Sequence, residues 1–242
     1  MIKFKHPLFF FAALLMLTVS GNAQQQFSGW AGSFNTFKLN NRFSLHFDAQ
    51  LRSTNDLENV GAILLRPGLN YHLNKNLVFT AGYLLNSSRR TVGTASSLLS
   101  EHRIWQQALV NQKVSKVALA HRFRFEERFI PKAKISGDEL ATDGYDQVFR
   151  FRYFIRGILP LVPGTTFSSG PFAALQNEVF LNTGNTTAVN GKAFDQNRLY
   201  GAVGYRFQGK MDIEIGYMNQ YSNTRTAFVN NHILQLAVYK RL

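Results

Sequence analysis

The sequence contains no cysteine, which removes disulfides, thiolate metal sites and a lipid-modified cysteine anchor from consideration. It also lacks any apolar run after residue 23 that approaches the roughly 18 to 20 residues of a spanning helix, so a helical membrane protein is excluded. Charge is scarce at 17% of residues and acidic charge scarcer still, with 14 Asp and Glu against 27 Lys and Arg. The net charge of +13 calls for an anionic surface or solute as counterpart. No glycine-rich phosphate loop is present, and no His, Asp and Glu group has ligand spacing. His46 and Asp48 share a strand face but supply only two ligands, so neither metal nor cofactor is expected.

What is there begins with an export signal. Lys3 and Lys5 form a positive start, Leu8 to Val19 an apolar run, and Gly21 and Ala23 a small-residue cleavage site. The run is too short to span a bilayer as a helix, so cleavage after Ala23 is expected, leaving residues 24–242 as a single domain. For an exported chain, outer-membrane lipids, lipopolysaccharide and small anionic solutes are the expected counter-charges, and nucleic acid is not.

The remaining pattern has period two. From Arg42 to Arg52, Phe43, Leu45, Phe47, Ala49 and Leu51 fall on one face, and Arg42, Ser44, His46, Asp48, Gln50 and Arg52 on the other. Similar segments cover 63–73, 77–85, 117–129, 149–159, 199–207, 211–221 and 234–242. Residues 99–112 and 172–183 alternate less cleanly, and 30–39 is the weakest. Links alternate between short turns, such as Asn40-Asn41 and Asn74-Lys75-Asn76, and long polar connections at 53–59, 87–97, 131–145, 182–195 and 222–231. The link Leu161 to Gly170 is longer than its place in this order requires.

Strands of this length exceed the roughly 5 to 6 residues usual in soluble domains and suit a bilayer crossing, while a two-sheet sandwich is the competing arrangement. The expected fold is all-β: a transmembrane, antiparallel, up-and-down barrel of the outer membrane, monomeric, with five long external loops. The segments number eleven, and bacterial barrels have even counts. Twelve strands are therefore expected, the extra one preceding Trp30, with ten as the alternative.

The polar face of the middle strands carries the candidate site. Arg103, Arg122, Arg124, Glu126, Arg128, Arg150, Arg152 and Arg156 all project to one side, which in a barrel is the lumen. Two readings compete. The charges interlock as pairs with Asp48, Glu101, Glu126, Glu178, Asp212 and Glu214, or the excess of arginine leaves a basic lumen that favours anions. A lipid-modifying or lipid-binding barrel of the hydrolase class is the alternative, resting on Ser100, Glu101 and His102. Ser100 and His102 share a face that Glu101 does not, so no catalytic residue is assigned and no enzyme is expected. Trp30, Phe34, Tyr71, Tyr83, Trp105, Phe129, Tyr153, Tyr217, Tyr221 and Tyr239 are candidates for two interfacial aromatic girdles. Gly201, Gly204 and Gly216, inside strand patterns, mark bends or close backbone approach.

The signal end Asn22-Ala23-Gln24, the early Trp30, the run 43–52, Glu101-His102-Arg103, Phe123-Arg124-Phe125-Glu126-Glu127-Arg128 and Phe149-Arg150-Phe151-Arg152-Tyr153 together resemble domain of unknown function 2490. That group comprises exported proteins found widely in Bacteroidetes. The resemblance covers nearly the whole chain after the signal and implies an outer-membrane barrel; it brings no activity, ligand or site residues.

Overall fold

The computed structural model describes residues 24–164 and 167–242; the expected signal peptide lies outside the described residues. Eleven strands follow one another: β1 (Gln24–Lys38), β2 (Phe43–Ser53), β3 (Val60–His72), β4 (Leu77–Val92), β5 (Ala95–Val114), β6 (Val117–Ser136), β7 (Glu139–Pro160), β8 (Gly170–Thr183), β9 (Phe194–Phe207), β10 (Met211–Asn223) and β11 (Phe228–Arg241). Single 3-10 turns at Asn55–Leu57 and Thr186–Ala188 interrupt two of the links. Each strand pairs antiparallel with the next, and β1 pairs with β11 to close the barrel. Closure leaves no edge whose amides lack a partner.

Twelve strands were expected, and the structure corrects this to eleven. The even-number rule assumes that first and last strands close antiparallel. Here β1 and β11 run the same way, in register from Gln24 opposite Val229 to Thr36 opposite Arg241. Both descend from the long-link rim to the short-turn rim. No ascending strand is needed before Trp30, because a parallel seam closes an odd count. Lys38 N–H donates to the Leu242 carbonyl and Leu242 N–H to the Thr36 carbonyl, which pins the foot of the seam. Phe34 stacks on Tyr239 across it, with ring centroids 4.8 Å apart.

Two of the five expected external loops are also corrected. Residues 87–97 and 131–145 are strand: β4 and β5 stay paired to Val92 opposite Ala95, and β6 and β7 to Ser136 opposite Glu139, beyond a bulge at Pro131 to Ala133. Their tips are solvent-exposed and, apart from a small buried cluster of Ala95, Leu99 and Leu140, carry no continuous apolar side, so little announces them in the sequence. At the other rim the short turns have identifiable locks. The Asn40 side chain accepts from the amides of Arg42 and Phe43, and that of Asn74 from Asn76 and Leu77, a geometry that closes a turn locally.

The pleat sends successive side chains to opposite sides, and the two sides differ in kind. Outside lie Leu45, Phe47, Leu65, Phe123, Phe125, Val203, Ile215 and Leu236, all exposed. Inside lie buried charges together with Leu84, Phe172, Tyr200 and Ile233, each without accessible surface. Inward-facing glycines make room for the largest rings. A Cβ on Gly82 would stand 2.4 Å from the Pro67 carbonyl oxygen and 2.7 Å from the Trp105 ring, and one on Gly204 2.6 Å from Phe172. Gly216 likewise faces Tyr200, whereas Gly201 points outward and meets nothing within 4 Å.

The girdle assignment needs correction on the same ground. Trp105 is 1% exposed inside the barrel, and Tyr239 reaches inward to donate to Glu214. Trp30 and Phe34 share their face, since Arg52 lies over one ring and Tyr239 against the other. Parity decides this: Trp105 lies two and four residues from Arg103 and Glu101, and Tyr239 is offset by one from Val238, whose face is apolar.

Candidate functional site

The site forms where β5, β6 and β7 each present several charges to the lumen and neighbouring strands supply the counter-charges. Alternation fixes the direction of every side chain, and cross-strand register brings like levels together: Arg103 opposite Arg128, Arg124 opposite Arg152, Glu126 opposite Arg150. Arginines stacked in this way repel unless carboxylates are threaded between them.

Glu126 is the central counter-charge and is 1% exposed. It accepts from Arg150 Nη2 at 2.6 Å and Arg152 Nη1 at 2.5 Å, with Arg103 Nη1 at 3.6 Å and Arg124 Nη1 at 3.9 Å. Glu101 bridges Arg103 and Arg128, at 2.6 and 2.7 Å on the same oxygen. Glu178 of β8 joins Arg122 and Arg152, each at 2.7 Å. Arg156 crosses to Glu214 of β10 at 2.5 Å, and the Tyr200 and Tyr239 hydroxyls donate to that carboxylate. Asp48 holds Arg66 at 2.8 Å, and Asp212 holds Arg206 and Arg241 at 2.8 and 2.7 Å. Arg124 is handled differently. It donates twice to Gln107 and lies over the Trp105 ring, 4.5 Å from its centroid.

The structure thus brings seven of the eight residues selected from the sequence into one ion-paired network, and holds the eighth, Arg156, in a separate pair with Glu214 at the same belt. Contacts such as Arg156 to Glu214 and His46 edge-on to Trp105 reach between strands that are not neighbours, so side chains cross and narrow the lumen at this level. Four arginines outside the sequence selection belong to the same lumen: Arg52, Arg66, Arg198 and Arg206, with Asp195, which pairs with Arg150 at 3.0 Å. Arg52 and Arg66 each stand alone on their strands, and Arg198 and Arg206 lie at opposite ends of β9, outside the runs of alternating arginine. Alternation parity with a known lumenal neighbour, such as Asp48 for Arg52, was the signal that could have found them.

A second feature lies above the belt. A polar cavity of about 250 Å³ reaches toward the long-link rim, lined by eight arginines against only Glu101 and Asp195 as carboxylates. Val189, from the link between β8 and β9, stands over it. That link is tied down by Asn190, which donates to the Phe194 and Asn223 carbonyls, and by Arg225, which donates to the carbonyls of Thr187 and Val189.

The histidine cluster offers less. Ser100 Oγ bonds Ser87, Glu101 points inward to its arginines, and His102 faces outward between the hydroxyls of Tyr83 and Tyr145. His121 and His232 make the same kind of outward pair, with Tyr153 and Tyr217. Among the described residues no serine hydrogen-bonds His102, His121 or His232; the serine that meets an imidazole is Ser44, whose Oγ lies 2.8 Å from His72 Nε2, on a different part of the wall from Glu101. His46 Nε2 is 3.1 Å from Asp48, and among the described residues no three His, Asp or Glu side chains gather as a metal site.

Comparison with known proteins agrees with this architecture. A solved structure of the NanC porin superposes with a TM-score of 0.52, covering 89% of this chain and 98% of that one at 12% identity, a likeness of fold alone. An uncharacterized protein of Methylorubrum extorquens is 28% identical over 198 residues, which span 80% of this chain and 78% of that protein. The family described as protein of unknown function DUF2490 matches residues 27–231, and the chain belongs to it.

Proposed function

We propose that this chain is a monomeric transmembrane barrel of the bacterial outer membrane, delivered after removal of residues 1–23, whose basic interior favours small anions. The observation that carries the reading is its inverted polarity. Glu101, Arg124, Glu126 and Glu214 are buried to 2% exposure or less, while leucine, isoleucine and phenylalanine side chains stand exposed around the outside. In water that distribution sacrifices the hydrophobic effect; in lipid it satisfies it. Outward polar residues of β5 to β7 gather at two levels, with Gln106 alone between them on β5. Gln112 bonds His121 near one rim, and Glu127 pairs with Gln147 beside His102 near the other. From Gln112 to His102 along β5, at roughly 3.4 Å per residue and a tilt of about 40°, the rise is about 25 Å, the height of the lipid-facing band of such barrels.

Selectivity follows from the interior excess of arginine, whose charge cannot be titrated away near neutral pH. The ion-paired belt narrows the path, so conductance is small. In planar bilayers the expected result is small steps with a reversal potential displaced toward the anion. Absence of steps, or a preference for cations, overturns the anion reading. Membrane insertion is checked separately: the unheated protein should migrate faster than the heated protein on a gel and fractionate with outer membrane, and a soluble periplasmic location overturns it.

A further inference from the structure

The cavity above the belt has a charge imbalance that its own residues do not settle. Arg66, Arg103, Arg128, Arg150 and Arg152 line it, and each is held by a carboxylate: Asp48, Glu101, Glu126, Glu178 or Asp195. Arg90 stands exposed at the rim, where water serves it. Two arginines remain. Arg52 donates to Gln50 and Arg198 to Gln196, both neutral, and among the described residues neither is paired with a carboxylate. Their guanidinium groups converge on one indole, lying 3.8 and 5.0 Å from the Trp30 ring centroid. The buried Nε atoms of Arg52 and Arg66 have no hydrogen-bond partner.

A buried guanidinium is retained only when something compensates it, since it does not neutralise by losing its proton. Here the compensation inside the protein stops two charges short. The donors left over are planar forks of the kind that grip carboxylate and phosphate oxygens in pairs. We propose that this cavity is a binding site for a free, small, divalent oxyanion of the carboxylate or phosphate class, entering from the long-link rim and held between Arg52 and Arg198, with Arg66 Nε as a further donor. The volume, about 250 Å³, is below that of pockets for drug-sized molecules and suits a solute of a few carbons or a single phosphate. Trp30 holds the two forks apart by stacking, and the link at Val189 roofs the site without filling it.

The site rests on the anion-favouring reading of the interior but not on conduction, and the two fail separately. The test is thermal unfolding of the refolded full barrel in neutral micelles, at constant ionic strength set with sodium chloride, with succinate or inorganic phosphate as probe. A ligand that binds only the folded state raises the unfolding temperature in proportion to its occupancy. Succinate or phosphate is expected to stabilise the wild type saturably, while Arg52→Gln and Arg198→Gln each weaken apparent affinity roughly tenfold and the double variant abolishes the shift. Lys132→Gln, at an exposed pair with Asp146, should leave it unchanged. Removing either unpaired charge should also raise the unfolding temperature without ligand, so a variant that folds poorly contradicts the proposal by itself. No saturable shift with either probe overturns it, as does equal response in the double variant. A shift that appears only with added lipopolysaccharide overturns it as well, since the phosphate recognised is then a lipid's. Saturable binding without bilayer conductance sinks the pore and keeps the site; selective conductance without binding does the reverse.

Discussion

The two halves of the barrel wall fill the same lumen by opposite means. Strands β5, β6 and β7, of 20, 20 and 22 residues, turn arginine and glutamate inward and project beyond the band as paired hairpins. Strands β8 to β11, of 13 or 14 residues, stop near the rim and contribute Phe172, Ala174, Tyr200, Ala202, Met218 and Ile233, an apolar cluster inside the barrel. The charged half gains direction and register from its ion pairs. The apolar half gains its stability from plain burial, which needs no partner of matching sign. Where the halves meet, at Glu178 and Glu214, the apolar side supplies the carboxylates that the charged side lacks.

That contrast predicts how each half breaks. The largest effect should come from Glu126→Gln, which strips the shared counter-charge from Arg150 and Arg152; a loss of about 3–5 kcal/mol is expected in urea unfolding of the refolded barrel. Adding Arg152→Met should restore much of that loss, because an apolar replacement no longer needs a partner. Phe172→Ala in the other half should cost a similar amount, about 3–5 kcal/mol, but with no second substitution that repairs it by charge. If Arg152→Met deepens the loss instead, the halves do not differ as described. Next in size, Gly82→Val drives a side chain into the Pro67 backbone and the Trp105 ring and should cost about 1–3 kcal/mol. At the seam, Phe34→Leu removes the stack on Tyr239 and should cost about 1 kcal/mol, read in the same titration. The smallest effect is expected from replacing residues 134–141 by a two-residue turn: the hairpin tip lies above the bulge, and gel mobility of the unheated barrel should not change.

Much of this was legible because a barrel wall is a local code. Each of the eleven segments is visible through alternation, and Glu101 and Glu126 declare themselves as counter-charges by sharing parity with the arginines of their own strands. The limits have physical causes. The hairpin extensions 87–92 and 132–142 carry no continuous apolar face, and the small cluster of Leu140 with Ala95 and Leu99 forms only where β7 meets β5, so they read as loops. Arg52 is the sole arginine of β2 and Arg198 sits at the far end of β9 from Arg206, and nothing local shows that register and curvature bring both to Trp30. The strand count failed because parity is a rule about closure, and closure is a contact between residues more than 200 apart in the chain, as in Ser28 with Asn231.

The parallel seam also gives the chain polarity across the wall. Gln24 opens β1 at the same rim as Phe228, while Lys38 and Arg241 share the other. The barrel is therefore entered from one side and left from the opposite one. In the membrane-spanning arrangement proposed above, a reporter ahead of Gln24 and a reporter behind Leu242 occupy different compartments, and no short linker joins the two rims into a circle. An even-stranded barrel, with both ends at one rim, offers neither property.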